Sequence, residues 1–421
     1  MFGALRNRDF RLFWTGAFVS NIGSWIQTIA LNWLVLELTN SPLALGIVSF
    51  AGTLPILALS LIGGVYVDRL DRRRLLRVTQ SLLLVSATVL AGLTWYKAIK
   101  VEYIVIISLF NGTVMALNAP AWQTFIVDLT EPSDLPTAIA LNSTQFNLSR
   151  VVGPSLAGIM LALVGAAFCF LVNGLSFVAV IGALFAIRSK RVVKSLDNSG
   201  IWKRLGAGLS YAAHHAVLRP LVIQTAIMTI FGFPFALLMP VMAKSVLGLD
   251  ANGYGALMSA TGLGAILGSL TVATFGRRIP RGRLLLAAEI LFSLSLIGFA
   301  TTTEFVTAAG SLVFVGFGMI VYLTSANTAL QIITPDDLRG RVTSIWTLVS
   351  FGFTPLGSLL AGAIAERWTA PLALGIGGIV CLLTGVSTIL TSPALLALPS
   401  SVLYRPGTPD IKPPARQAGS S

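Results

Sequence analysis

The chain has 421 residues, of which 55% are hydrophobic and 11% are charged, and its formal net charge is +13. Soluble domains carry roughly a quarter charged residues, so this composition and a mean hydropathy of +0.83 exclude an ordinary soluble protein. The two cysteines, Cys169 and Cys381, lie far apart inside apolar runs, which argues against a disulfide framework or a metal site.

Apolar runs of about 20 residues, long enough to cross the hydrocarbon layer of a bilayer, recur along the chain. They predict an all-α membrane protein whose two six-helix halves occupy 1–188 and 219–393. The twelve predicted spans lie at 11–37, 42–67, 74–96, 101–124, 137–163, 166–188, 219–247, 252–275, 283–302, 305–330, 341–365 and 370–393.

The basic residues collect on one side of the predicted membrane. If the N-terminus is cytoplasmic, only Lys97, Lys100, Lys244 and Arg367 fall on the outer side, and Arg150 lies within a span. This asymmetry follows the positive-inside rule and predicts a multi-pass protein of the cell's inner (plasma) membrane with both termini in the cytoplasm. It explains the positive charge without a nucleic-acid partner.

Two further segments are expected on the cytoplasmic side. The region 189–218 begins polar and basic and then becomes amphipathic, which predicts a linker with a helix on the inner leaflet. Its neighbours His214 and His215 would point apart on a helix, so we interpret them as a surface pair and not as metal ligands. The proline-rich tail 394–421 is expected to be disordered.

Two short basic loops occupy matching places in the two halves. Residues 63–74 read Gly-Gly-Val-Tyr-Val-Asp-Arg-Leu-Asp-Arg-Arg-Arg, whereas residues 276–283 contain arginines but no acid. The positive-inside rule accounts for most of these arginines, but it concerns basic residues and does not explain the acid Asp68. An acid at this place would instead be stabilised by a helix N-terminus and a cationic partner.

A weak internal repeat connects the halves. The segment 132–135 reads Pro-Ser-Asp-Leu, and 335–338, which begins 203 positions later, reads Pro-Asp-Asp-Leu. The pair Ser155-Leu156 returns at the same offset as Ser358-Leu359. Such an echo is typical of a transporter built from two repeated halves with a site between them.

Span five contains a charge and a helix-bending motif. Arg150 lies near the membrane midplane, where a charge is costly and faces a protein interior or a watery cavity. Gly153 and Gly158 permit close helix approach, and Pro154 favours a bend. The alternative is that Arg150 is a structural arginine that holds polar groups of neighbouring helices.

Several spans carry a polar and aromatic face. On spans one and four these residues recur at helical spacing, so each set shares one side of its helix. The candidates for a substrate cavity are Asn21, Trp25, Asn32, Asn111, Asn118, Trp122, Gln224, Met228, Phe231 and Tyr322. A lining rich in amide, aromatic and methionine side chains suits a large, partly apolar molecule.

Acids within the spans are rare. Glu289 is the one acid placed clearly inside a span, and Glu37 lies at the outer end of span one. A carrier driven by protons needs a titratable group, so these two are candidates for proton coupling. A neutral Glu289 packed near the inner headgroups is an equally good interpretation.

The loop 63–74 resembles the signature loop between the second and third helices of major facilitator superfamily transporters. The fifth-span motif resembles that of antiporters and exporters in this superfamily, and the phrases at 5–14, 33–46 and 335–342 resemble its bacterial branch of enterobactin exporters and drug-efflux carriers. The resemblance implies a cavity lined by helices one, four, seven and ten. It also implies an inner gate between helices two and eleven, formed by Gly64, Asp68, Arg69, Arg72, Arg73, Gly340 and Arg341.

The sequence therefore predicts a secondary exporter of a small, partly apolar organic molecule, such as a drug or siderophore, working by alternating access and driven by proton antiport. We expect a monomer without a cofactor, whose partners are the substrate and the lipid bilayer. An importer of a small nutrient and a non-transporting scaffold or receptor on the same fold remain alternatives. No span contains a cluster of groups that would support an enzyme.

Overall fold

The structure is a computed structural model that describes residues 3–187, 211, 213–276 and 278–398. Within those ranges the side chains of 3, 60–69, 336–337, 339–341, 344 and 351 are outside the description. The described chain is helical and contains no strand. The predicted tail 394–421 and linker 189–218 fall mostly outside the described residues.

The N-terminal half contains six long helices. They are α1 (Arg8–Thr39), α2 (Pro42–Arg69), α3 (Arg72–Trp95), α4 (Val101–Asp128) and a 52-residue run, Leu135–Ala186, that turns at Gly165 into α5 (135–164) and α6 (166–186). Gly165 has φ 80° and ψ 175°, a conformation that side chains with a Cβ rarely adopt. The glycine therefore allows the chain to reverse within a single residue.

The C-terminal half repeats this pattern. Its helices are α7 (Leu218–Val246), α8 (Ala251–Phe275), α9 (Arg281–Thr301), α10 (Phe305–Ile333), α11 (the consecutive pieces Asp336–Thr347, Leu348–Gly352 and Thr354–Arg367) and α12 (Ala370–Thr391). Wide π-helical turns interrupt α7 at Met228–Gly232 and Met242–Val246, and α11 at Leu348–Gly352.

Ten stretches of the described chain are long and apolar enough to span a membrane. One of these stretches, the 52-residue run, is two helices because it turns at Gly165, and the 32-residue α1 is also long enough to span. The described chain therefore contains the twelve predicted spanning helices. The predicted fold class is therefore confirmed. We call the side holding the start of α1 and the loop between α2 and α3 the basic face, and the side holding the loop between α1 and α2 the opposite face.

Local sequence sets the helix ends. Asn7 caps α1 because its side-chain oxygen accepts the N–H of Asp9 at 2.9 Å, and Asp71 caps α3 by accepting the N–H of Arg74 at 2.9 Å. On the opposite face, Asn40 ends α1 with a left-handed conformation at φ 49°. These caps fix short connections, so successive helices run antiparallel.

Candidate substrate cavity and gates

The two halves meet near the opposite face along α2 and α11. The Ser49 hydroxyl donates to the Ser358 hydroxyl at 3.0 Å. Nearer the surface, the Glu366 carboxylate accepts hydrogen bonds from the Ser41 hydroxyl at 2.7 Å and the Leu43 N–H at 3.2 Å. Gly46 allows this approach, since a Cβ there would lie 2.8 Å from the Ser358 carbonyl oxygen.

A second contact of the same kind joins α5 to α8. Ser155 and Ser259 share a hydrogen bond of 2.7 Å between their hydroxyls. Gly158 and Gly255 pack backbone against backbone, because a Cβ on Gly158 would lie 3.0 Å from the Gly255 Cα. We call these two contacts, α2 with α11 and α5 with α8, the seam. The repeated serines at offset 203, Ser155 and Ser358, both lie in it.

The fifth-span motif faces this seam and α1. Gly153 packs against the Trp25 side chain, and the Pro154 carbonyl lies against Gly255. The stacked rings of Trp33 and Tyr254, 5.8 Å apart, add a further contact between the halves. The motif glycines therefore permit close contact on both sides of α5.

Arg150 lies at the middle of α5, one to two turns closer to the basic face than Ser155. Its side chain is half-buried, and its Nη2 lies 3.7 Å from the Met319 sulfur on α10. Its guanidinium carbon is 6.0 Å from the centroid of the Trp25 ring on α1. Among the described residues no carboxylate forms an ion pair with it. The guanidinium thus stands between the halves, touching both, with hydrogen-bonding capacity left unused.

Three of the predicted cavity residues line one polar pocket in the N-terminal half. Asn21, Asn118 and Trp122 border a cavity of about 250 Å³ between α1, α3, α4, α5 and α6. The Asn21 amide donates to the Gln145 side chain at 3.1 Å. Asn118 accepts from the Thr79 hydroxyl at 2.8 Å and the Gln80 amide at 3.1 Å.

The other residues predicted on spans one and four lie elsewhere. Trp25 lies on α1 against Gly153 and Arg150 of α5, as described above. Asn32 lies beside the Tyr254 hydroxyl at the junction of the halves. The Asn111 side-chain oxygen is buried and has no hydrogen-bond partner in the described structure.

The residues predicted on spans seven and ten lie deeper than expected. Gln224, Met228 and Tyr322 are fully buried inside the C-terminal half, and only Phe231 is partly exposed. The Tyr322 hydroxyl is 2.9 Å from that of Thr225. These side chains therefore form part of the packed interior of that half and not an open cavity surface.

Glu289 lies at the centre of this buried group. Its side chain has no exposed surface, and the Gln224 amide faces its carboxyl without reaching good hydrogen-bonding geometry. Tyr322 and Cys381 lie nearby, and Gly385 on α12 packs against the carboxyl carbon. An ionised carboxylate in such surroundings is costly. Glu289 is therefore enclosed by protein, eight residues after the start of α9 at the basic face.

The corresponding place in the N-terminal half carries an amide. Gln80 lies eight residues after Arg72 at the start of α3, and Glu289 lies eight residues after Arg281 at the start of α9. Gln80 contacts Asn118 on α4, and Glu289 lies near Tyr322 on α10. The two halves thus share a polar pair at matching positions, but only one of them contains an acid.

Glu37, the other coupling candidate, is exposed at the end of α1 on the opposite face. Its carboxylate accepts a hydrogen bond of 2.7 Å from the Trp33 indole, one helical turn earlier. The structure thus places it at the surface next to the junction of the halves.

Two arginines predicted at the inner gate hold the N-terminal half together. The buried Arg72 guanidinium pairs with Asp128 at the end of α4, at 2.7 Å. Arg73 donates to the carbonyl oxygens of Leu184 at 2.6 Å and Phe185 at 2.9 Å, the last turn of α6. The contacts described here for both arginines lie within one half, whereas the resemblance implied a contact between halves. The side chains of Gly64, Asp68, Arg69, Gly340 and Arg341 lie outside the described residues.

We expect Arg72→Ala to destabilise the protein by about 3–5 kcal/mol, because it leaves the carboxylate of Asp128 buried without its cation. The midpoint of thermal unfolding in detergent measures this. The exposed Arg74→Ala, two residues along, serves as the control and should leave the midpoint unchanged. Equal unfolding midpoints for both variants would show that the pair of Arg72 and Asp128 does not contribute to stability.

Sequence reasoning missed several of the residues that build these contacts. Gln80, Gln145 and Met319 connect the predicted polar faces to their neighbours, and Ser49 and Ser259 complete the seam. Gln80 and Gln145 could have been found, since an amide inside an apolar span needs a partner. A lone serine or methionine in a span carries no such signal.

Comparison with known proteins decides the family. Residues 1–399 match the family described as "Transmembrane secretion effector", within the major facilitator superfamily. The chain belongs to this family. This secretion effector family member is therefore a membrane transporter and not an enzyme, as the sequence predicted.

Curated relatives of this family member include transporters of named function. It is 27% identical over 370 residues to the staphyloferrin A transporter of Staphylococcus aureus, covering 88% of the chain and 92% of the relative. It is 27% identical to the multidrug efflux pump Tap of Mycolicibacterium fortuitum, with 83% and 87% covered. Macrolide efflux protein A of Streptococcus pyogenes is 24% identical, with 85% and 89% covered.

Solved structures share the fold of this family member. A bacterial homolog of the human lysosomal transporter Spinster, in an inward-facing and unoccupied conformation, superimposes with a TM-score of 0.69 at 14% identity, with 93% and 96% of the two chains covered. A POT family transporter in complex with 5-aminolevulinic acid gives a TM-score of 0.74 at 11% identity, with 92% and 97% covered. At these identities the likeness concerns the fold.

Proposed function

We propose that this transporter exports a small, partly apolar organic molecule from the cytoplasm by alternating access in exchange for protons. The observation that carries the proposal is the position of Arg150 relative to the seam. The hydrogen bonds Ser49–Ser358 and Ser155–Ser259 join the halves between Arg150 and the opposite face. We infer that a molecule reaching Arg150 in this arrangement arrives from the side of the basic face.

We take the basic face as cytoplasmic because of the positive-inside rule. The chain would then lie in the plasma membrane with both termini in the cytoplasm and would act as a monomer. Loading from the cytoplasmic side, followed by parting of the seam, moves a substrate outward. The named relatives support export, since two of the three are efflux proteins.

The chemistry around Arg150 supports the substrate class. One guanidinium beside the Trp25 ring and the Met319 thioether suits a molecule that has an anionic or hydrogen-bond-accepting group on an apolar body. The neighbouring pocket adds the amides of Asn21 and Asn118. Both siderophores with carboxylate groups and large apolar antibiotics belong to this class.

Directional flux in everted membrane vesicles tests the proposal. Vesicles containing the protein should accumulate catecholate or carboxylate siderophores or lipophilic antibiotics when energised, and a protonophore should stop the accumulation. Uptake by right-side-out vesicles instead would identify an importer. Absence of flux in both, across the panel, would favour the scaffold alternative.

We propose that Asp68, with Arg341 on α11, closes the cytoplasmic side in the outward-open state. Asp68→Asn should reduce transport strongly at normal expression, because it removes the charge from this contact. Thiol probes at cysteines introduced near the basic face should react faster in the variant. Unchanged transport and labelling would remove the gate role.

Alanine variants of the cavity residues should change which substrates are exported. Trp25→Ala should weaken binding about two- to tenfold, because an aromatic contact contributes roughly 0.5–1.5 kcal/mol beyond its buried area. Trp122→Ala should have a smaller effect, since Trp122 packs on Phe13 at 4.6 Å. Asn118→Ala should affect polar substrates more than apolar ones. A polar substrate loses the amide as a hydrogen-bond partner and keeps an unpaired group, whereas an apolar substrate has no such group to leave unpaired.

Resistance or export profiles across chemically varied compounds measure these differences. If every variant reduces the export of all substrates by the same factor, these residues maintain the fold and do not select the substrate.

A further inference from the structure

A large groove lies between α7 and α12 in the C-terminal half, away from the seam and from Arg150. Its volume is about 860 Å³. Residues spaced by one helical turn line it on both helices: Arg219, Ile223 and Ile227 on α7, and Val380, Thr384 and Thr388 on α12. The groove is therefore a continuous channel formed by two helix faces.

The groove opens toward the bilayer. Leu383 and Ile223 both line it, and their side chains are 63% and 48% exposed. The hydroxyls of Thr384 and Thr388 donate within α12, to the carbonyls of Val380 at 2.8 Å and Thr384 at 2.9 Å. These two hydroxyls are therefore satisfied within α12, and the side chains of Ile223, Ile227, Val380 and Leu383 offer carbon surface to an acyl chain beside the hydroxyls of Ser387, Thr391 and Ser392.

The end of the groove at the basic face is cationic. Arg219 is exposed there, and among the described residues no carboxylate pairs with it. His214 and His215 also line this end. The His215 Nδ1 accepts the N–H groups of Val217 at 3.2 Å and Leu218 at 3.3 Å, which fixes its ring at the start of α7.

The length of the groove matches one leaflet. Along the axis of α7, the lining residues from Arg219 to Ile227 cover about 12 Å at 1.5 Å per residue. Along α12, those from Val380 to Ser392 cover about 18 Å. One leaflet contributes about 15 Å of hydrocarbon, half the thickness of the layer. A phospholipid with its headgroup at Arg219 would therefore reach the end of the groove with its acyl chains.

We propose that the α7–α12 groove binds one anionic phospholipid from the leaflet at the basic face, with its phosphate at Arg219 and its acyl chain between Ile223 and Leu383. Basic residues at the surface of this leaflet attract anionic headgroups. Neither the seam nor the Arg150 site takes part, so the inference is independent of the proposed export function.

Native mass spectrometry of the purified, delipidated full-length protein tests the proposal. The protein is titrated with phosphatidylglycerol and with phosphatidylcholine of identical acyl chains. We expect one retained phosphatidylglycerol at concentrations where phosphatidylcholine is not retained. Arg219→Ala should weaken phosphatidylglycerol binding about fivefold, as expected for the loss of one basic residue at an anionic headgroup.

Two further variants make the result specific. Arg283→Ala removes another exposed arginine on the basic face, outside the groove, and should leave binding unchanged. Ser387→Trp fills the groove and should abolish retention of the lipid. Equal binding of both lipids, an unchanged affinity in Arg219→Ala, or binding of neither lipid would overturn the proposal. Displacement of phosphatidylglycerol by millimolar inorganic phosphate would also overturn it, because the site would then recognise an anion alone.

Discussion

Replacement of Arg150 with alanine should abolish transport while the protein remains folded in the membrane. Among the described residues the guanidinium forms no ion pair and interacts with the Met319 sulfur and the Trp25 ring, so its removal breaks no ion pair that holds the fold. Hydrogen bonds to a charged group contribute about 1.5–3 kcal/mol, which corresponds to roughly ten- to hundredfold weaker substrate binding. Substrate flux in everted vesicles, normalised to protein amount, measures the loss.

Arg150→Lys distinguishes charge from geometry. Lysine keeps the positive charge but lacks the planar, forked donors of arginine. We expect only a small part of the flux to return. Arg283→Ala serves as the control for loss of an arginine at an exposed place. If Arg150→Ala transports normally, the arginine is structural, as the alternative interpretation holds.

Glu289→Gln should uncouple transport from the proton gradient. The amide keeps the volume and polarity of the acid, and the N-terminal half already carries Gln80 at the matching position, so the variant should fold. The glutamine side chain cannot bind or release a proton near neutral pH. We therefore expect accumulation driven by a pH gradient to disappear, while exchange of labelled for unlabelled substrate down a concentration gradient continues.

The two acids in question can be compared directly. Glu37→Gln changes the exposed acid at the end of α1 and should leave proton-driven accumulation intact. If Glu37→Gln uncouples transport and Glu289→Gln does not, the coupling group lies on the opposite face at the junction of the halves. If neither variant uncouples it, proton antiport through these two groups is excluded.

The class and the helices could be predicted because a bilayer imposes a length and a hydropathy on each span. The predicted break between spans five and six is at Gly165, where a glycine alone separates two apolar runs. Arg150 could be singled out for the same reason, since a charge at mid-membrane is costly whatever its partners.

The arrangement of side chains around the site was harder to predict. Helical spacing shows that Gln224 and Met228 share a face, but not whether that face points to the interior of one half or to the other half. Arg72 and Arg73 look like any topogenic arginines, because their partners, Asp128 and the last turn of α6, are distant in sequence. Tertiary contacts of this kind leave no local pattern.

The seam has an energetic consequence for a proton-driven cycle. Each of its two serine pairs is a neutral hydrogen bond, worth about 1 kcal/mol. One elementary charge crossing a potential of about 100 mV releases about 2.3 kcal/mol. Breaking the two serine hydrogen bonds therefore requires about as much free energy as the descent of a single proton supplies, and the hydrogen bonds of Glu366 to Ser41 and Leu43 add to that requirement.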